Sequence, residues 1–181
     1  MNQRRRIDRL LDKGAFAEAR KQIRSFLRDE PENHWLMTRM AGAWAVEGKY
    51  YDALKWVKRA LRRAPRCPIA LWHLAYIYDG KERRADAARV LRRLIKRPIR
   101  SYLGGGECAQ SRSWARDFIT DCYMMLGSVE QSRSRHLEAA RAYRQHIRRR
   151  LAGARGVIGP PLRQVRESLQ EQESLSGKAR G

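Results

Sequence analysis

The chain has 181 residues, enough for one domain or a short array of repeats, and 43% of them are hydrophobic, which excludes a largely disordered polymer. Lysine and arginine number 40 against 19 acids, a formal charge of +21 that concentrates polyanions without specifying a fold. No apolar run approaches the roughly 20 residues that span a bilayer, and the basic start Met1-Asn2-Gln3-Arg4-Arg5-Arg6 lacks the apolar core of a signal peptide, so a soluble, cytoplasmic chain without membrane insertion is expected.

Ile7, Leu10 and Leu11 fall at helical spacing, and Gly14 ends that helix because glycine tolerates the left-handed C-cap. Phe16, Ala19, Ile23 and Phe26 mark a second amphipathic helix that Pro31 stops. The plan then repeats. Asn33 is an N-cap candidate for a helix carrying Trp35, Leu36, Met37, Met40, Ala41 and Trp44. Gly48 makes the turn, and Tyr50, Ala53, Leu54, Val57, Ala60 and Leu61 build the partner helix, closed by Pro65. Gly14, Phe16, Ala19 and Pro31 thus recur as Gly48, Tyr50, Ala53 and Pro65 at an offset of 34 residues, the signature of stacked supersecondary units.

A third unit covers residues 68–98, with Leu71, Leu74, Ala75 and Tyr78 on its first helix, Gly80 opening the turn, and Ala85, Ala87, Ala88, Leu91 and Leu94 on its second. Ala19, Ala53 and Ala87 sit where paired helices must approach closely. Residues 99–112, with Gly104-Gly105-Gly106-Glu107, read as a linker. Residues 113–150 read as a degenerate fourth hairpin. Trp114, Phe118, Ile119, Cys122, Tyr123 and Leu126 form its first helix, 127–135 a polar loop, and Leu137, Ala139, Ala140, Tyr143 and Ile147 its second helix. Within 151–181, Pro160-Pro161 precedes a short helix striped by Leu162, Val165 and Leu169. It is expected to cap the open end of the stack, with 174–181 a loose tail.

The pattern of Trp44, Gly48, Tyr50, Ala53 and Pro65 resembles the tetratricopeptide repeat, over roughly residues 3–150. That resemblance implies an all-α, right-handed solenoid of helix hairpins, with residues 1–98 as three repeats and a C-terminal capping helix. It also implies that each unit's first helix lines a concave groove for a peptide or helix of a partner protein. On this template the groove carries Trp35, Thr38, Arg39, Trp72, His73 and Tyr76, flanked by Arg4, Arg5 and Asp79. The lysine and asparagine set with which one subset of the family grips a terminal carboxylate is absent, since Thr38, Gly42 and Trp72 stand in its places. Trp35 and Trp72 have an alternative reading as packing between units.

The second helices are the basic ones. No acid occurs between Ala53 and Tyr78, whereas Lys55, Lys58, Arg59, Arg62 and Arg63 do, and the third unit adds Arg89, Arg92, Arg93 and Lys96. Residues three and four apart share one side of a helix, so these are expected to form an outward basic face. Such a face reads either as a solvated surface with no partner or as a contact for an acidic protein, with nucleic acid as a further alternative, because arginine grips carboxylate and phosphate in bidentate fashion. An open apolar end of the stack would also allow self-association.

Nothing points to catalysis or a cofactor. The glycine run at 104–106 follows no strand and lacks a phosphate-loop lysine. His34, His73, His136 and His146 are scattered, without metal-ligand spacing. Cys67, Cys108 and Cys122 are odd in number and are expected to be reduced thiols in or near the core. A non-enzymatic binding protein, an adaptor or chaperone, is the reading the residues favour.

Overall fold

A computed structural model of the chain describes residues 3–103, 111–156 and 161–178. All regular structure among them is helical: α1 (Gln3–Asp12), α2 (Phe16–Asp29), α3 (His34–Val46), α4 (Tyr50–Arg63), α5 (Pro68–Gly80), α6 (Arg84–Ile95), a 3-10 turn (Ile99–Tyr102), α7 (Arg112–Gln131), α8 (His136–Leu151) and α9 (Leu162–Lys178). The chain divides into two compact units, one ending at Lys81 and one beginning at Glu82. The glycine run 104–106, Cys108, Pro160 and residues 179–181 lie outside the described residues.

In the first unit, Gly14 and Gly48 end their helices with φ of +72° and +73°, the left-handed geometry that costs other L-residues roughly 1–2 kcal/mol. Asn33 caps α3 by accepting the Leu36 amide at 3.1 Å, satisfying one of the orphan donors of the first turn. Pro68 opens α5, where its missing amide is harmless. Of the sequence pattern, Ile7, Ala19, Ile23, Leu36, Met37, Met40, Ala53, Val57, Ala60 and Ala75 are fully buried; on α5, Leu71, Leu74 and Tyr78 are only partly buried, and Ile77, outside the expected stripe, is fully buried. One member of the α2 stripe is charged. Arg20 is buried, its guanidinium 3.9 Å from the centroid of Trp44, donating to the Ala43 carbonyl at 3.3 Å and pairing with Glu47 at 2.9 Å.

The turn after α5 is not made by Gly80, which is the last residue of the helix itself. The ring of Tyr50 occupies the place a β-carbon would take there, so this glycine is needed for packing. Glu82 makes the turn, with φ of +60°.

The second unit begins with α6, whose Ala87, Ala88, Leu91 and Leu94 are fully buried. The start of the expected linker is structured: the buried Tyr102 donates its hydroxyl to the Leu94 carbonyl at 2.6 Å and packs on Phe118. Ser111 caps α7 by accepting the Trp114 amide at 3.1 Å. Two expectations are corrected here. Residues 127–131 continue α7 instead of opening a loop, because Gly127 leaves space for the ring of Tyr143 and Val129 and Glu130 are buried. The residues from 174 to 178 belong to α9, held by the fully buried Gln172 against His136 (2.8 Å) and by an Arg144–Glu173 ion pair at 2.7 Å. Helix α9 covers an apolar face of α7 and α8, with Val165 buried against Ala139 and Tyr143 and flanked by Met124, Ile147 and Leu169.

Candidate partner-binding faces

The first helices of the first unit meet along one side. Arg4 of α1 and Arg39 of α3 each hold a guanidinium carbon 5.1 Å from the Trp35 ring centroid, and Arg39 pairs with Asp8 of α1 at 3.0 Å. Trp35 is thereby covered by cations and only 5% exposed. Thr38 is buried too, and its hydroxyl donates to the His34 carbonyl at 2.7 Å. Between α3 and α5, the His73 ring lies against Gly42, where an added β-carbon would stand 2.8 Å from His73 Cε1. Burial, with Arg39 adding to it, pushes the His73 pKa down to about 4, so the ring is neutral at pH 7.

Along α5, Trp72 stacks on Tyr76 at 5.9 Å between centroids and 10° between planes, its edge against His73, and Tyr76 meets Tyr50 edge-on at 6.4 Å. Burial, Tyr50 and Asp79 raise the Tyr76 phenol. Trp72, His73 and Tyr76 are half-buried, so they, with Arg39, are the expected groove residues that present surface. Trp35 and Thr38 are buried among the packing of α3.

The basic residues sort by partner. On α4, Lys55 pairs with Asp52 at 3.6 Å and lies over Tyr51. Arg59 donates to the Pro31 carbonyl at 3.1 Å and covers Trp56, and Arg63 donates to Glu32 at 2.7 Å. Lys58 and Arg62 are exposed and have no ion-pair partner among the described residues. In the second unit, α6 borders an open depression of about 700 Å³ lined by Arg89, Arg92, Arg93, Lys96, Arg97 and Arg133, with Ala85 and Pro98 between them. Arg89 pairs with Asp86 at 3.0 Å, a carboxyl held below its usual range first by Arg83. Arg92 and Arg133 share Glu130, at 2.5 Å and 2.9 Å, and that carboxylate is 0% exposed. Arg93 and Lys96 are exposed and have no ion-pair partner among the described residues.

Three charged residues that organise these faces escaped the sequence reading: Arg20, Glu130 and Arg133. Arg20 lies on the Phe16–Ile23–Leu27 stripe of α2, and Glu130 one turn past Leu126 on α7, so a charge in an apolar register was the available signal. Among the described residues no three of His, Cys, Asp and Glu come together as a metal ion would require, and no helix is long and apolar enough to cross a membrane. Cys67 and Cys122 are buried and form no disulfide among the described residues, and burial pushes the Cys122 thiol up.

No family model matches the chain. It is similar to a TPR repeat-containing protein of Synechococcus elongatus, 30% identical over 77 residues, which are 42% of this chain and 19% of that protein. The matched stretch thus spans about a fifth of the relative's length. Among solved structures it is similar to MamA, with a TM-score of 0.65 at 18% identity, covering 94% of this chain and 79% of that one. It is also similar to residues 41 to the end of MamA from Desulfovibrio magneticus RS-1, with a TM-score of 0.60 at 15% identity over 97% and 94% of the two chains. At these identities the likeness to the solved structures is one of fold.

Proposed function

We propose that this chain, whose helix hairpins have the tetratricopeptide-type fold, is a non-enzymatic adaptor or chaperone that holds a peptide or helix of a partner protein. The contact surface in this reading is the α5 side of the first unit, where Trp72 and Tyr76 supply broad, rigid rings and Arg39 a charge anchored by Asp8. Half-buried aromatics beside arginine are the side chains that carry most binding energy in protein interfaces. The single observation carrying the reading is the Trp72–Tyr76–Tyr50 ladder, left half-open although its neighbours Trp35 and Thr38 are buried. The basic helices supply a second contact, for an acidic part of the partner.

The test is co-purification of the tagged chain from its native cells, with and without nuclease, beside a Trp72→Ala/Arg39→Ala double variant shown by circular dichroism to be folded. Loss of a nuclease-resistant partner in the variant is expected. Unchanged recovery removes this surface from the reading. The second reading, nucleic-acid binding, is favoured by Lys58, Arg62, Arg93 and Lys96, which are exposed and have no ion-pair partner among the described residues. It requires binding that weakens steeply with salt, with a log–log slope near the number of phosphates engaged, and a partner lost on nuclease treatment.

A further inference from the structure

We infer that the depression beside α6 is a discrete docking site for a short acidic segment of a protein. The inference rests on the protein-binding reading above and gives its basic contact a location. Six cations line the depression, and Asp86 and Glu130 pair with three of them, Arg89, Arg92 and Arg133. Glu130 is fully buried beneath Arg92 and Arg133, so it orients two guanidiniums from different elements without offering its own charge to the surface. A guanidinium already fixed by one carboxylate loses less conformational freedom when its remaining N–H groups engage another. Arg93 and Lys96 are exposed beside them, with no ion-pair partner among the described residues.

The shape selects among polyanions. From Arg89 to Ile95, where α6 ends, the helix rises about 9 Å, at 1.5 Å per residue, which matches about three residues of extended peptide. A nucleic-acid strand engages a longer basic track and uses exposed aromatic rings to stack its bases. The lining has no aromatic residue, and the nearby Tyr102 is buried with Arg97 laid over its ring. Ala85 and Pro98 give the site small apolar contacts suited to a side chain interleaved with carboxylates.

The experiment measures fluorescence anisotropy of a labelled hexaglutamate peptide and a labelled oligothymidylate with the full chain at about 0.15 M salt, where long-range attraction is largely screened. The wild type is compared with Arg93→Glu/Lys96→Glu and with Lys58→Glu/Arg62→Glu, which makes the same charge change on α4. The expected result is that the first double variant weakens hexaglutamate binding about tenfold or more and the second by less than about twofold. Equal losses in the two variants overturn the site while leaving the protein-binding reading standing. Absence of hexaglutamate binding by the wild type overturns the site as well. Tighter binding of the oligothymidylate, weakened by the same Arg93 and Lys96 changes, overturns the acidic-peptide assignment in favour of phosphate, and with it the reading it rests on.

Discussion

The ring of Tyr50, at the first residue of α4, lies over Gly80, at the last residue of α5, in the space a β-carbon would need. Elsewhere in a helix, replacing glycine by alanine gains up to about 1 kcal/mol of helix propensity. Here the added methyl must displace the ring and its edge contact with Tyr76. Gly80→Ala is therefore expected to destabilise the chain by about 1–3 kcal/mol, the cost of overpacking. Urea denaturation checks it, and a gain in midpoint would show that the ring moves aside freely.

Gly14, Gly48 and Glu82 lie 34 residues apart, and all three have left-handed backbones. The turn conformation keeps the period where the residue type does not. Gly48 has open space around its missing β-carbon, so Gly48→Ala isolates the backbone effect and should cost about 1 kcal/mol. Glu82→Gly should gain about 0.5 kcal/mol, because relief of strain exceeds the added freedom of the unfolded chain. The two midpoint shifts in denaturant should have opposite signs.

Glu130 is a carboxylate with no exposed surface, held between Arg92 and Arg133. Removing Glu130 leaves two guanidiniums that water can reach, Arg92 and Arg133 being 40% and 22% exposed in their side chains, so Glu130→Ala should cost about 1 kcal/mol. Arg92→Ala leaves the fully buried Glu130 with Arg133 as its remaining ion-pair partner among the described residues, so it should cost more, about 2–3 kcal/mol. Thermal unfolding of the two single variants and the double variant gives the coupling between them, which should be favourable by at least about 1 kcal/mol.

His73 makes stability depend on pH. Its folded pKa lies near 4, below the ordinary value of 6.5, first because burial disfavours the cation and then because Arg39 repels it. Between those values the unfolded chain binds the proton and the folded chain does not, so stability falls as pH falls. The contribution is complete above about pH 6.5 and lost toward pH 4, and is expected to reach about 2 kcal/mol. His146 has its pKa lowered by burial and acts in the same direction. The slope of unfolding free energy between pH 6.5 and 5 should flatten in His73→Phe; an unchanged slope would place the dependence on other groups.

The repeat itself was legible because its requirements are backbone requirements. Two left-handed turns need Gly14 and Gly48, and close helix pairs need Ala19, Ala53 and Ala87, visible as residue types at a fixed offset; Asn33 was visible as an N-cap residue type. Gly80 and Gly127 were misread as turn residues because a glycine announces a missing β-carbon without saying whether the backbone or a neighbouring ring requires it. Of the six groove residues, periodicity placed all on first helices, yet it could not tell which would be covered. Trp35 disappears beneath Arg39 of its own helix and Arg4 of α1, and the second contact forms only when α1 and α3 meet. The α6 depression was readable as a run of cations, but its organisation depends on Glu130, distant from that run in sequence.

The pairing of Gln172 with His136, together with the buried Val165, bears on how this polypeptide can be trimmed. A version stopped ahead of Leu162 would leave the rims of Ala139 and Tyr143 wetted, and such a bare greasy flank drives clumping. Anyone preparing the molecule for crystallisation should keep the final helix to at least Glu173, however dispensable its polar outer side makes it look.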